Sequence, residues 1–176
     1  MYNKNHRGKG NALVEMTMIG IPIMFVLLST FELARGIWTY HTLTYAVKEG
    51  TRYTIVRGQD CNNAIAVANN CQVTVAQIAT QIQNAAIGLD PTLLQVEMIS
   101  LADDTGMHPL LGGSGPLLSN SNNFPTGTGA APAAPITFLA KYPFHSAIVM
   151  FWPGANGGFQ FGSFSMPASS QERIQF

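Results

Sequence analysis

Charge is scarce in this chain: 10% of its 176 residues are Asp, Glu, Lys or Arg, and the formal net charge is zero. Binding nucleic acid demands clustered Lys and Arg to displace counterions from phosphates, so the composition argues against a nucleic-acid partner. There are two cysteines, Cys61 and Cys71, and His41, His108 and His145 are scattered. A zinc site would need two further ligands at suitable spacing, so no metal is expected. The glycines of 154–158 lack the lysine and the following helix of a phosphate loop. Asp103-Asp104 is a pair of adjacent carboxylates that reads as a solvated turn rather than a hard-cation site. No nucleophile stands beside a base, so neither an enzyme nor a cofactor is expected. The length, less one spanning segment, leaves a single modest domain.

What is abundant is apolar sequence near the beginning. Gly10-Asn11-Ala12-Leu13-Val14-Glu15 opens a run that is almost wholly apolar from Met16 to Phe31. A membrane-spanning helix needs about 20 apolar residues at ~1.5 Å rise each, and Ala12 to Phe31 is 20 residues. Glu15 is the one ionisable group inside. A charge at mid-span costs about 2.5–3.5 kcal/mol on insertion scales and less near an end. Such a residue asks for a cation at its own depth, and a newly exposed α-amino group would serve. A cleaved secretory signal fits poorly, because the run exceeds the usual h-region and no small-x-small site follows it. A plain anchor, in which Gly10 and Glu15 are incidental, is the simpler competitor.

The stretch resembles the type IV pilin-like leader, in which a prepilin peptidase cuts after a glycine and glutamate becomes the fifth residue of the mature chain. Gly10 matches that glycine, Asn11 becomes the first residue, and Glu15 falls on the glutamate. The continuation through Gly20-Ile21-Pro22, Phe31-Glu32-Leu33-Ala34-Arg35-Gly36 and Ala46-Val47-Lys48-Glu49-Gly50-Thr51-Arg52-Tyr53 is similar to the TadE-like pseudopilins of the tight-adherence (Flp) pilus system. The resemblance is densest over residues 8–57. It implies a minor pilin, processed after Gly10, whose Glu15 pairs with the Asn11 amine of a neighbouring subunit within the membrane. Implied partners are the prepilin peptidase, a sister pseudopilin, the major pilin, the inner-membrane assembly platform and membrane lipid.

Lys4, Arg7 and Lys9 precede the span, whereas Arg35 is the cation close behind it. The positive-inside rule then keeps the amino end in the cytoplasm and places residues from about 32 onward outside. Removing residues 1–10 leaves six Lys/Arg against nine Asp/Glu, a mildly acidic product. No turn cluster intervenes before Gly58, so the helix is expected to continue to Arg57, ~70 Å in all. Its stripe is read as Leu33, Ile37, Tyr40, Thr44, Val47, Thr51 and Ile55. Lys48 or Glu49 with Arg52 are close enough along the helix to interact. Pro22 is expected to kink or loosen it, and Ala34, Gly36, Ala46 and Gly50 offer room for close helix contact.

Cys61 and Cys71 fall on the outer side, where an even count favours a disulfide over free thiols. Thr74 is an N-cap candidate for a helix with Val75, Ile78, Ala79, Ile82, Ala85 and Ala86 on one face, ended by Gly88 and Pro91. Residues 63–70 add a candidate earlier turn of helix. The alternation of Leu94, Val96 and Met98 predicts a strand over 93–101. Residues 102–135 hold six glycines and five prolines and read as a long flexible surface insertion. Strands are expected over 136–142 and 159–166, antiparallel neighbours of 93–101. Residues 146–152 are open between a strand, a buried connector and an apolar tip.

The expected architecture is α+β and pilin-like, with a long N-terminal helix and a small antiparallel sheet. It divides into a leader (1–10), a transmembrane part (11–31), an extracytoplasmic half-helix (32–58) and a small domain (59–176) carrying the 102–135 insertion. The function expected is assembly or initiation of a pilus. A stationary membrane-anchored extracytoplasmic binding module is the alternative.

Overall fold

A long helix, α1 (Lys9–Ile55), runs from the start of the described chain into the folded domain and forms one side of its core. The computed structural model describes residues 9–57, 73–146 and 163–175. Cys61 and Cys71, residues 63–70, nearly all of 146–152, the glycines of 154–158 and the Phe159/Phe161 alternation lie outside them. α1 continues through Pro22. Its threonines return their hydroxyls to the helix: Thr30 to Val26, Thr39 to Arg35, Thr51 to Val47 and Thr54 to Gly50, all at 2.8–2.9 Å. A β-branched polar side chain is thereby satisfied without water. At the far end Arg57 donates to the Tyr53 carbonyl at 2.7 Å, a cation on the carbonyl end of the helix dipole.

The second helix, α2 (Val75–Ala85), starts on a capping box. Gln77 N–H donates to Thr74 Oγ1 and Thr74 N–H to Gln77 Oε1, which satisfies two groups that would otherwise be orphaned. It ends before Gly88, whose φ of +81° suits glycine. Val75, Ile78, Ala79 and Ile82 are buried, as the sequence periodicity predicts. α2 lies on α1 at Gly50, where an added Cβ would stand 2.5 Å from Ile82 Cγ1.

Four strands make one antiparallel sheet in the order β2-β1-β3-β4: β1 (Gln95–Ile99), β2 (His108–Pro109), β3 (Pro135–His145) and β4 (Ser163–Arg173). In register, Met98 faces Phe138 and Phe138 faces Ser170. Val96, Met98, Ile136, Phe138, Ala140, Phe144, Met166 and Ala168 are buried and join the core with the two helices. The fold is α+β, as expected. Two details differ. β4 pairs with β3 and not with β1, and it continues through Pro167-Ala-Ser-Ser-Gln-Glu-Arg173, a polar stretch with no strong strand signal. As an edge strand it tolerates Pro167 and an exposed polar face.

The helix stripe is also corrected. Val47, Thr51 and Ile55 are buried, but Leu33, Ile37 and Tyr40 are exposed. The buried line instead runs through Thr39, Leu43, Ala46, Gly50 and Thr54. Beside Leu43 this line is made of small residues and threonines, which let α2 and the sheet approach closely. Ala46 and Gly50 therefore serve packing within the chain.

Residues 102–135 bury more than their composition predicts. Leu110, Leu117 and Phe124 are completely or almost completely buried, and the Phe124 ring packs 6.0 Å from that of Phe138. The carbonyls of Asn120 and Asn122 accept from Ala76 and Val75 N–H at 2.9 Å, which closes the N-terminus of α2. Asp103 accepts from Thr126 N–H and Oγ1 at 2.6 and 2.7 Å. Three single apolar anchors, spaced far apart, hold a segment whose average composition is that of a loop.

Candidate functional site

Among the described residues of the domain, chemistry-bearing side chains do not gather. Among the described residues no group of three His, Cys, Asp or Glu is placed to hold a metal ion. His41 packs edge-on to Tyr40, His108 Nδ1 lies 3.2 Å from the Ser114 carbonyl, and His145 offers its backbone carbonyl to Arg35. Asp103 is taken up by Thr126 and Ser100. Asp104 accepts from Gly106 N–H at 2.9 Å. Asp90 accepts from Thr92 Oγ1 at 2.7 Å and Thr92 N–H at 2.9 Å, and the Thr92 hydroxyl, then its N–H, hold the Asp90 carboxyl below its usual range.

The conspicuous surface is instead α1 itself. Leu13, Val14, Met16, Met18, Ile19, Ile21, Ile23, Met24, Phe25 and Val26 are exposed, and Leu27, Leu28 and Phe31 follow. The helix is long and apolar enough to cross a membrane, and none of its most apolar 18-residue window is buried within the protein. Covering one such side chain is worth about 1.5–3 kcal/mol. A row of this length left in water would favour association with any apolar phase.

Gly10 and Asn11 lie in the first turn of α1, and Glu15 lies on its exposed surface.

Just beyond the apolar stretch the domain is pinned to the helix. Arg35 donates to the His145 carbonyl, stands 4.7 Å from the Phe144 ring centroid and pairs with Glu32 at 3.3 Å. At Gly36 an added Cβ would touch Phe144 at 3.7 Å, and the Trp38 ring covers Gly88. An apolar groove of about 850 Å³ opens between α1 and the ends of β3 and β4, lined by Leu33, Gly36, Ile37, Phe144, Phe164 and Met166 among others. In the sequence Arg35 reads as a cation for orientation and as part of the Phe31–Gly36 motif, not as a contact with the domain. Its place one turn past the apolar run was the available signal.

These features define an α+β protein carried on one long helix whose first half is a candidate membrane span. Residues 10–52 match the family model described as TadE-like protein. The match covers most of α1 and about a quarter of the chain, and the family it is similar to is one of structural proteins associated with the tight-adherence pilus. Comparison with curated proteins and with solved structures gave no match.

Proposed function

We propose that the protein is a minor pilin, or pseudopilin, that takes part in assembling or initiating a tight-adherence (Flp) pilus. The observation that supports this reading is the coincidence, in one helix, of an uncovered apolar span, Glu15 near its start and a TadE-like match beginning at Gly10. In this reading a prepilin peptidase cuts after Gly10, with residues 1–10 in the cytoplasm and the folded domain on the far side of the inner membrane. The Asn11 amine of one subunit then neutralises Glu15 of the next, which brings a costly carboxylate into lipid only when two subunits are in axial register. Sister pseudopilin, major pilin and assembly platform are the partners. In that outer compartment Cys61 and Cys71 form a disulfide.

Mass spectrometry of the protein from cells with active peptidase is expected to show a chain beginning at Asn11. A chain that retains Met1 there overturns processing. Glu15→Ala is expected to be cleaved normally yet to be lost from pilus fibres; unchanged incorporation removes the pairing mechanism. Retention of the processed wild-type protein in the membrane fraction, with none in fibres, would favour a stationary anchored binding module. Thiol alkylation without reductant is expected to leave both cysteines unlabelled.

A further inference from the structure

The height at which the domain meets α1 bears on what it faces. Counting from Phe31, the end of the apolar run, Arg35 lies ~6 Å and Trp38 ~10 Å further along the helix axis. The polar layer on each side of a bilayer's hydrocarbon is about 5–8 Å thick. Side chains on a helix lean toward its N-terminus, here back toward the span. The pins at Arg35, Gly36 and Trp38 therefore hold the near end of the domain within, or at the rim of, the headgroup layer.

That near end carries exposed apolar side chains. Phe164, beside Phe144 with ring centroids 5.3 Å apart, is 56% exposed. Ile87, next to the Gly88 that Trp38 covers, is 71% exposed. Gly36, which meets Phe144, and Trp38, which meets Gly88, are two positions apart and so project about 200° apart around the axis. The sheet, through Phe144, and the end of α2, through Gly88 under the tip of the Trp38 ring, thus reach the helix at one height. A plane normal to the helix would contact both together.

We propose that the span-proximal rim of the domain, with Phe164 and Ile87 as its apolar points and Trp38 and Arg35 between them, is seated in the headgroup layer of the bilayer. The partner is the lipid surface. The proposal rests on residues 12–31 spanning the membrane, but not on which end is cytoplasmic. Tryptophan, here Trp38, favours this layer, and the Arg35 guanidinium, partly exposed, would lie at phosphate depth. Seating the rim fixes the tilt of the domain against the membrane before any subunit joins it.

Depth-dependent fluorescence quenching tests this on the full chain at low protein-to-lipid ratio in phosphatidylcholine/phosphatidylglycerol vesicles. Trp38→Phe and Trp152→Phe provide a background into which Phe164→Trp, Ile87→Trp, Phe25→Trp or Leu101→Trp is placed singly, with folding confirmed by circular dichroism. Leu101 is exposed and follows the end of β1 farthest from the span. Phe164→Trp and Ile87→Trp are expected to be quenched about twofold more by lipid brominated near the carbonyl than near the chain end, and Phe25→Trp the reverse. Leu101→Trp is expected to be unaffected. In the single variant Trp152→Phe, which preserves the Trp38–Gly88 contact, Trp38 is expected to show the shallow pattern. If Phe25→Trp is quenched while Phe164→Trp, Ile87→Trp and Trp38 behave like Leu101→Trp, the proposal is overturned and the span stands. If Phe25→Trp is itself unquenched, the span fails and the proposal with it. Protection that appears only as protein concentration rises would assign the rim to a second copy and overturn the lipid assignment.

Discussion

The two halves of α1 draw on similar apolar residues and meet opposite surroundings. Residues 12–31 present large exposed side chains on every side, whereas Thr39 to Ile55 has one buried line flanked by half-buried and exposed residues. Bulk marks the first half: Met, Ile, Leu, Phe and Val. At the second half's contacts small residues, Ala46, Gly50, Thr51 and Thr54, alternate with Leu43, Val47 and Ile55 where α2 and the sheet approach. Hydrophobicity alone says that a surface must be covered. The size of the residues says whether it is covered closely by a backbone-bearing partner or loosely by something fluid.

The largest test of that contrast compares two phenylalanines. Phe138→Ala, in the domain core, is expected to lower the domain's stability by about 3–5 kcal/mol, read as the urea midpoint in detergent. Phe25→Ala on the free half is expected to move it by less than about 0.5 kcal/mol. Two glycines come next. Gly50→Ala drives a methyl into Ile82, itself fully buried, and is expected to cost about 1–3 kcal/mol. Gly20→Ala meets nothing within 4 Å and is expected to leave the midpoint unchanged while raising helix content slightly. Equal effects at the two glycines would erase the distinction between halves.

A smaller effect tests whether α2 is locally closed. Thr74→Ala removes the capping box and is expected to cost about 1 kcal/mol in the same unfolding measurement. The smallest concerns acid. The Asp90 carboxyl titrates lower in the folded chain than its usual 3.8, so its Thr92 contacts stabilise the domain fully above that value. Their contribution falls away as pH drops through the lowered folded value. The midpoint difference between wild type and Asp90→Asn is expected to be flat from neutral pH to about 5 and to shrink in stronger acid.

Much of this was legible along the chain. The apolar run, followed by no turn cluster before Gly58, gives α1, Thr74 and Gln77 give the start of α2, and alternation at Val96 and Met98 gives β1. The TadE-like resemblance was legible too, and residues 10–52 match that family model. The rotation of the α1 stripe was not, because Leu33, Ile37 and Tyr40 fit a helical period as well as Thr39, Leu43 and Ala46. Only the position of α2 decides between them. The polar second half of β4 was likewise silent, since its pairing comes from β3 and its side chains from an exposed edge.

Local terms act between neighbours in sequence, so the sequence by itself determined where the long helix runs, how apolar its first 20 residues are and where a carboxylate interrupts them. Contacts between distant positions were decided by the tertiary structure: Gly50 under Ile82, Arg35 on the His145 carbonyl, Trp38 on Gly88, and Leu110, Leu117 and Phe124 reaching the core from a segment rich in glycine and proline. Close packing is the reason, because whether a small residue is a contact or merely a gap depends on which atoms stand opposite it.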